Sequence, residues 1–303
     1  MSFAGHESFH VREGWLSKAL KLVIHHPEVF MEEYPEDKIG VGRNMYKSIR
    51  YWLIATGLVE GKLVRKGANQ GLVPTWLGIA ISEADPYFLS QTTWWVLHVN
   101  LVNNPAKSVV WDWFFNNWKL KSFEKSRCQN SFSEYVEISQ KKKPRQATLE
   151  KDLSVLINSY AIKIQEATGD PEDTSDSPFQ ELGLLKYQKN SNSYLLNTGS
   201  KKIPQALIGY SLWSSKYFAA GNEHDQFQIE DMPVEKCISI RGGLGACFVM
   251  NAEQLFQVIQ ETGEALIRIE GLAGNRAIRV SQITGPEWIQ EAYEAEKGFI
   301  SHA

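Results

Sequence analysis

Apolar positions recur at the helical period in two stretches of this chain, with the same spacing in both. Between Ile39 and Glu60, Met45, Ile49, Trp52, Leu53 and Thr56 fall at i, i+4, i+7, i+8 and i+11. That is the stripe of a helix lying on a core. The helix is predicted from about Gly42 to Thr56, with Gly57 placed for a left-handed C-terminal cap. From Gln146 to Tyr160, Leu149, Leu153, Leu156, Ile157 and Tyr160 repeat the pattern. An earlier helix, Trp15 to His26, turns Leu16, Ala19, Leu20, Val23 and Ile24 inward, and Pro27 and Pro35 bracket a surface loop.

Directly after the first striped helix the pattern becomes that of strands. Leu58 and Val59 open one, Gly61 turns it, Lys62 to Lys66 returns, and Gly71 to Pro74 closes the hairpin. Helix followed by hairpin is the order of a winged helix. Residues 76–118 read as aromatic core helices, with His98 a hydrogen-bonded core histidine, and Asn103-Asn104-Pro105 breaks them. Ser133 is a candidate N-cap for a short helix through Ser139. Leu184 to Tyr187 and Ser193 to Leu196 flank a polar turn as a second hairpin, and a helix follows from Pro204 to Phe218. Residues 166–178 are an acidic loop that matches no calcium-loop spacing. Towards the end, Lys236 to Ile240 and Ala246 to Val249 are predicted strands around a tight glycine turn. A helix (Ala252 to Gly263), two strands (Ala265 to Glu270, Ala277 to Val280) and a last helix complete the chain. The predicted class is a mainly helical α+β fold in three parts. These are a winged-helix-like unit over 1–120, a second helix-turn-helix-like unit over 121–220 and a small α+β unit over 221–303.

Charge sharpens this picture. The 303 residues carry a formal net charge of −3, so nucleic-acid binding has to come from local patches. Such a patch exists. Arg43, Lys47 and Arg50 stack on one face of the first striped helix, with Asn44 beside them, and Lys62, Arg65 and Lys66 continue the sign on the hairpin. Arg145 and Lys151 mark a weaker counterpart on the second striped helix, where Lys151 stands between Glu150 and Asp152. These residues are the candidate contacts to double-stranded DNA. A solvated helix face and a soluble hairpin would give the same pattern.

Composition excludes several classes. With 43% apolar and 12% aromatic residues the chain can bury real cores. Three widely spaced cysteines, with no CxxC, argue against a disulfide framework or cysteine zinc site and for a reducing cytoplasmic setting. The N-terminus has no apolar h-region, and no apolar run reaches the ~20 residues that cross a bilayer.

The candidate chemistry lies in His6-Glu7-Ser8-Phe9-His10, a literal HExxH. In a zinc protease this motif needs a long helix that brings both histidines to one face, and that context is missing here. Two readings remain. His6, Glu7, His10 and Arg12 form a polar site for phosphate-ester chemistry, with a His or Glu activating water or holding Mg²⁺ or Mn²⁺ and Arg12 neutralising phosphate. Alternatively they form an ordered strap hydrogen-bonded across the first unit. No P-loop, dinucleotide fingerprint, GxSxG or standard nuclease signature is present, and no organic cofactor is indicated.

The residues Phe3 to Leu16, together with Gly40 to Met45 and Ile49-Arg50-Tyr51-Trp52-Leu53, resemble two signatures of a bacterial family first catalogued as a domain of unknown function. Leu182 to Leu185 and Leu272 to Arg276 resemble later, weaker ones. That family includes SspB-type proteins of DNA phosphorothioation systems, which replace a non-bridging backbone oxygen by sulfur in defence against phage. The resemblance implies a nickase that opens one strand for sulfur insertion. It also implies a cysteine desulfurase, an ATPase and a PAPS-reductase-like protein as partners. A non-enzymatic winged-helix targeting subunit of such a system, or an interaction scaffold, would keep the DNA-facing features without the cut.

Overall fold

A computed structural model describes residues 3–62, 71–139, 144–162, 177–221, 228–271 and 276–301. Arg65 and Lys66 of the hairpin, Lys141 to Lys143, most of the acidic stretch and Leu272 to Asn275 lie outside these. Helix α1 (Trp15–His25) leaves Gly14, which takes a left-handed φ of 73°. Where the sequence suggested a loop, Pro27 opens a 3-10 turn (Pro27–Met31) and Pro35 opens the short helix α2 (Pro35–Ile39). Each begins with its proline, whose fixed φ and missing N–H suit a first helical turn. Helix α3 (Arg43–Ala55) buries Ile49, Trp52 and Leu53, as its stripe requires, and Ser48 with them. Gly57 then takes a φ of 79°.

Strand β1 (Val59–Lys62) pairs antiparallel with β2 (Gly71–Pro74). Gly61 sits within β1 opposite Leu72 instead of turning the chain. Helices α4 (Trp76–Ala84), α5 (Gln91–Asn103) and α6 (Val109–Asp112) follow, the last running into a π-helical turn, Trp113–Asn117. Beyond β3 (Ser122–Phe123), α7 spans Lys125–Ser139. It starts two turns before the Ser133 cap proposed from sequence, because Cys128, Phe132 and Val136 form a buried i, i+4, i+8 row. Helix α8 (Gln146–Tyr160) keeps its predicted bounds and buries the whole predicted stripe.

Strand β4 (Ala161–Ile162) lies parallel to β5 (Leu185–Gln188), which forms a hairpin with β6 (Ser193–Leu196). The sheet order is β3-β6-β5-β4. Helix α9 (Gln205–Ala219) leads to β7 (Met232–Pro233). The predicted strands around the glycine turn are helices, α10 (Val234–Ser239) and α11 (Leu244–Cys247). The reason is local crowding: a Cβ on Gly243 would meet the Cys237 carbonyl, and one on Gly245 the Ile238 carbonyl. The two short helices therefore approach each other closely at glycines that have no room for a side chain. Helix α12 (Ala252–Thr262), strands β8 (Ile267–Glu270) and β9 (Ala277–Val280) and helix α13 (Gly285–Ser301) complete a mainly helical α+β fold.

Helix α5 runs through the middle. Every residue from Thr92 to Asn103 is buried, which requires packing on all sides. Four of its polar side chains hold neighbouring elements. Thr93 donates to Asp85 at 2.5 Å and is 2.7 Å from the Tyr293 hydroxyl of α13. Asn100 donates to the Thr56 carbonyl and accepts from Tyr210 of α9, both at 2.8 Å. Asn103 donates to Ser214 Oγ at 2.7 Å. His98 is 2.7 Å from the Cys247 carbonyl and 2.8 Å from the Tyr160 hydroxyl. A carbonyl only accepts, so Nε2 carries the proton and Nδ1 accepts from Tyr160. One hydrophobic cluster extends from Val11 to Tyr293 around this helix.

Burial lowers the His98 pKa from its ordinary 6.5 to about 3. The folded state therefore prefers neutral His98, and that preference is full above pH 6.5. Between pH 6.5 and 3 the unfolded chain binds the proton first, so stability falls by about 1.4 kcal/mol per pH unit from this group. In urea unfolding, His98→Ala is predicted to cost about 3 kcal/mol or more, since it strands a buried hydroxyl and a buried carbonyl. It should also flatten the loss of stability between pH 6.5 and 5. An unchanged slope in the variant would remove His98 as its source.

Candidate phosphate-backbone site

The HExxH stretch folds as two successive tight turns, not as a helix. Glu7 N–H donates to the Ala4 carbonyl at 3.1 Å and Phe9 N–H to the His6 carbonyl at 2.8 Å. Three non-glycine residues in this short run take left-handed φ values, Ala4 56°, Glu7 48° and Ser8 71°. Such conformations persist only where the surroundings over-determine them, and here the anchors are plain. His6 is 1% exposed. Its Nδ1 accepts from the Ser8 N–H at 3.2 Å, so its Nε2–H donates to Asp152 Oδ1 at 2.9 Å. The same carboxylate oxygen accepts from the Ala4 N–H at 2.9 Å. Trp52 Nε1 donates to the Phe9 carbonyl at 3.1 Å. The imidazole ring lies against Tyr51, Trp52 and Trp111, with centroids 5.7 to 6.3 Å away.

Both His6 nitrogens are engaged in hydrogen bonds within this strap. Among the described residues no group of three His, Cys, Asp or Glu side chains could hold a metal ion. Glu7 is different. Its carboxylate reaches outward, and Lys47 Nζ stands 3.6 Å from it. Both groups are partly exposed, so the pair is weak and exchangeable. Arg12 is half-buried with its guanidinium 5.6 Å from the Trp15 ring centroid, and His10 is half-buried in the strap.

Lys47 and Arg50 line a cleft of about 290 Å³ with Gly5, Tyr51, Ile54, Ala55 and Lys107. Gly5 is required there, because a Cβ would enter the Tyr51 ring. Tyr51 donates its hydroxyl proton to the Lys107 carbonyl at 3.0 Å. Burial, with the Asp152 carboxylate nearby, pushes that phenol well above its ordinary range, so it stays a donor. Three cations thus converge where the strap, α3 and the α5–α6 loop meet.

Arg43 and Asn44 are exposed at the start of α3, and β1 ends at Lys62. Arg145, at the N-cap of α8, and Lys151 on that helix are both exposed. Two residues escaped the sequence reading. Lys107 is a lone lysine after a helix-breaking Asn-Pro, and only the fold brings it to α3. Asp152 stands three residues after Leu149 and four before Leu156, a charge on the apolar side of α8 and hence a sign of a buried partner.

Asp152→Ala leaves the Ala4 N–H and the His6 Nε2–H buried without an acceptor. It is predicted to cost about 2 kcal/mol or more and to speed proteolytic cleavage within residues 4–9 by at least about tenfold. Unchanged cleavage would show that Asp152 does not hold the strap.

No curated protein matches this chain. Two crystal structures share its fold. One is of magnesium ion-bound SspB, with 23% identity, and the other of SspB, with 24%. Each alignment has a TM-score of 0.81 and covers 98% of this chain and 89% of the other. The family model described as a protein of unknown function, DUF4007, matches residues 3–293, and the chain belongs to that family.

Proposed function

We propose that this protein grips the sugar–phosphate backbone of double-stranded DNA in the cleft between α3 and the N-terminal strap. In this reading it is the DNA-engaging component of a phosphorothioation system. The observation that carries the reading is the convergence of Lys47, Arg50 and Lys107 on one cleft in a chain of net charge −3. Phosphate contacts of this kind position a duplex and carry no base information. Arg43 and Asn44 stand at the start of α3, the helix that lines the cleft, and Lys62, Arg65, Lys66, Arg145 and Lys151 are further candidate phosphate contacts.

Strand opening belongs beside the same cleft. A backbone phosphate competes with Glu7 for Lys47 and releases the Glu7 carboxylate. Glu7 then takes a proton from a water that attacks phosphorus, a phosphorus–oxygen ester bond breaks, and the departing sugar oxygen takes up a proton. Lys47 and Arg50 offset the charge that builds on the phosphate oxygens, and Arg12 and His10 stand in or next to the strap outside the cleft lining. His6 acts as a positioning residue, since its two nitrogens are engaged. The strap offers a divalent ion one outward carboxylate, so Mg²⁺ or Mn²⁺ would be held by Glu7 together with DNA phosphates rather than by a protein cage. The opened strand would pass to a cysteine desulfurase, an ATPase and a PAPS-reductase-like protein, the partners that the SspB resemblance implies.

A second reading, a targeting subunit that binds without cutting, draws on the engaged His6. Two measurements separate the readings. In salt-dependent duplex binding, Lys47→Ala, Arg50→Ala and Lys107→Ala should each weaken affinity and lower the log K against log[salt] slope by about 1. Wild-type binding by the triple variant would remove this cleft as the docking surface. With supercoiled plasmid, Mg²⁺ or Mn²⁺ and the partner proteins, Glu7→Gln should slow relaxed-circle formation by about a hundredfold or more while retaining binding. Duplex binding with no relaxed circle under any of these conditions would leave the targeting reading alone.

A further inference from the structure

A larger cleft, about 430 Å³, adjoins the cationic one and shares Ile54 and Lys107 with it. The end of α3, the start of the hairpin, the start of α4, the end of α5 with the loop after it, and the end of α9 build it. Its character differs from that of its neighbour. Trp76, Tyr217 and Phe218 give it aromatic walls, and Glu60, Asn104 and Lys107 give it polar edges. The aromatic side chains are held in place from behind. Tyr217 stacks on the buried Trp213 with centroids 4.8 Å apart and planes 17° apart. Trp76 meets the edge of the same ring at 5.8 Å. Phe218 lies edge-on to Tyr217 at 5.5 Å.

A site of this make-up suits a flat, aromatic ligand with hydrogen-bonding edges and one attached anion. Its volume is that of an ordinary small-ligand cleft. We infer that it receives an unstacked nucleobase whose own phosphate lies on Lys47, Arg50 and Lys107. Stacking against aromatic side chains recovers what the base loses on leaving the duplex, and carboxylate and amide groups meet its Watson–Crick edge. Lys107, common to both clefts, stands where base and phosphate join through the sugar. This inference rests on the DNA reading for its phosphate half and on the aromatic cleft alone for its base half.

The test is calorimetric titration of the full chain with the four deoxynucleoside 5′-monophosphates, with deoxyribose 5-phosphate and with inorganic phosphate. At least one mononucleotide should bind about tenfold or more tighter than deoxyribose 5-phosphate. Phe218→Ala and Tyr217→Ala should lose that increment and keep the affinity for deoxyribose 5-phosphate. Tyr217→Phe, which keeps the ring, should retain it. Lys107→Ala should weaken both ligands. Equal binding of deoxyribose 5-phosphate and all four mononucleotides overturns the inference, as does an increment that survives in both alanine variants. Duplex binding without a base increment sinks the base pocket and leaves the DNA reading. A base increment without duplex binding does the reverse.

Discussion

The buried polar row on α5 is the constraint on which the rest of the fold depends. Thr93, His98, Asn100 and Asn103 sit on a helix with almost no surface, so each must find a partner inside the protein. Their partners lie on α13, on α8 and α11, on the end of α3 together with α9, and on α9 again. An apolar helix in this place would hold its neighbours by area alone and tolerate sliding. Directional bonds at four levels fix the register of every helix around it, and with it the placement of α3, α8 and α9. Close packing reinforces this between α9 and α13. Gly209 leaves room for the Trp288 ring and Gly285 for the Trp213 ring, so each helix receives a tryptophan of the other.

The N-terminal strap inherits its shape from that arrangement. Its left-handed residues would relax in a free peptide. They are held because Asp152 on α8 and Trp52 on α3 offer bonding partners at fixed positions. The cationic cleft is therefore assembled from parts far apart in sequence: the strap, one face of α3 and the loop before α6. Its charges belong to the tertiary structure even though each lysine and arginine is visible in the sequence. The same holds for the adjoining aromatic cleft, whose walls come from α4 and α9 and are propped by Trp213.

Local chemistry also decides where a metal ion could be held. A sequence HExxH reads as a zinc motif only if a helix sets both histidines on one face. Here the backbone turns twice between Ala4 and Phe9, His6 goes inward to Asp152, and Glu7 goes outward to Lys47. The same five letters thus separate into an internal anchor and a surface carboxylate.

The sequence by itself determined the elements whose pattern is long and periodic. Helices α3 and α8, the β5–β6 hairpin, the core role of His98 and the aromatic middle were legible in spacing and residue type, because a one-sided apolar stripe has one stable solution. It also marked the basic face of α3. Short elements were another matter. Around Gly243, Ile238 and Ile240 alternate like a strand, yet tight backbone contacts between α10 and α11 select helices. In α7 the polar first half hid a sparse buried row. Only the tertiary structure decided that Lys107 joins Lys47 and Arg50, that Asp152 is the anchor of the strap, and that His6 is held at both nitrogens. The physical reason is the same in each case. These are contacts between residues as many as 148 positions apart, and their energy depends on burial and direction, which no local pattern encodes.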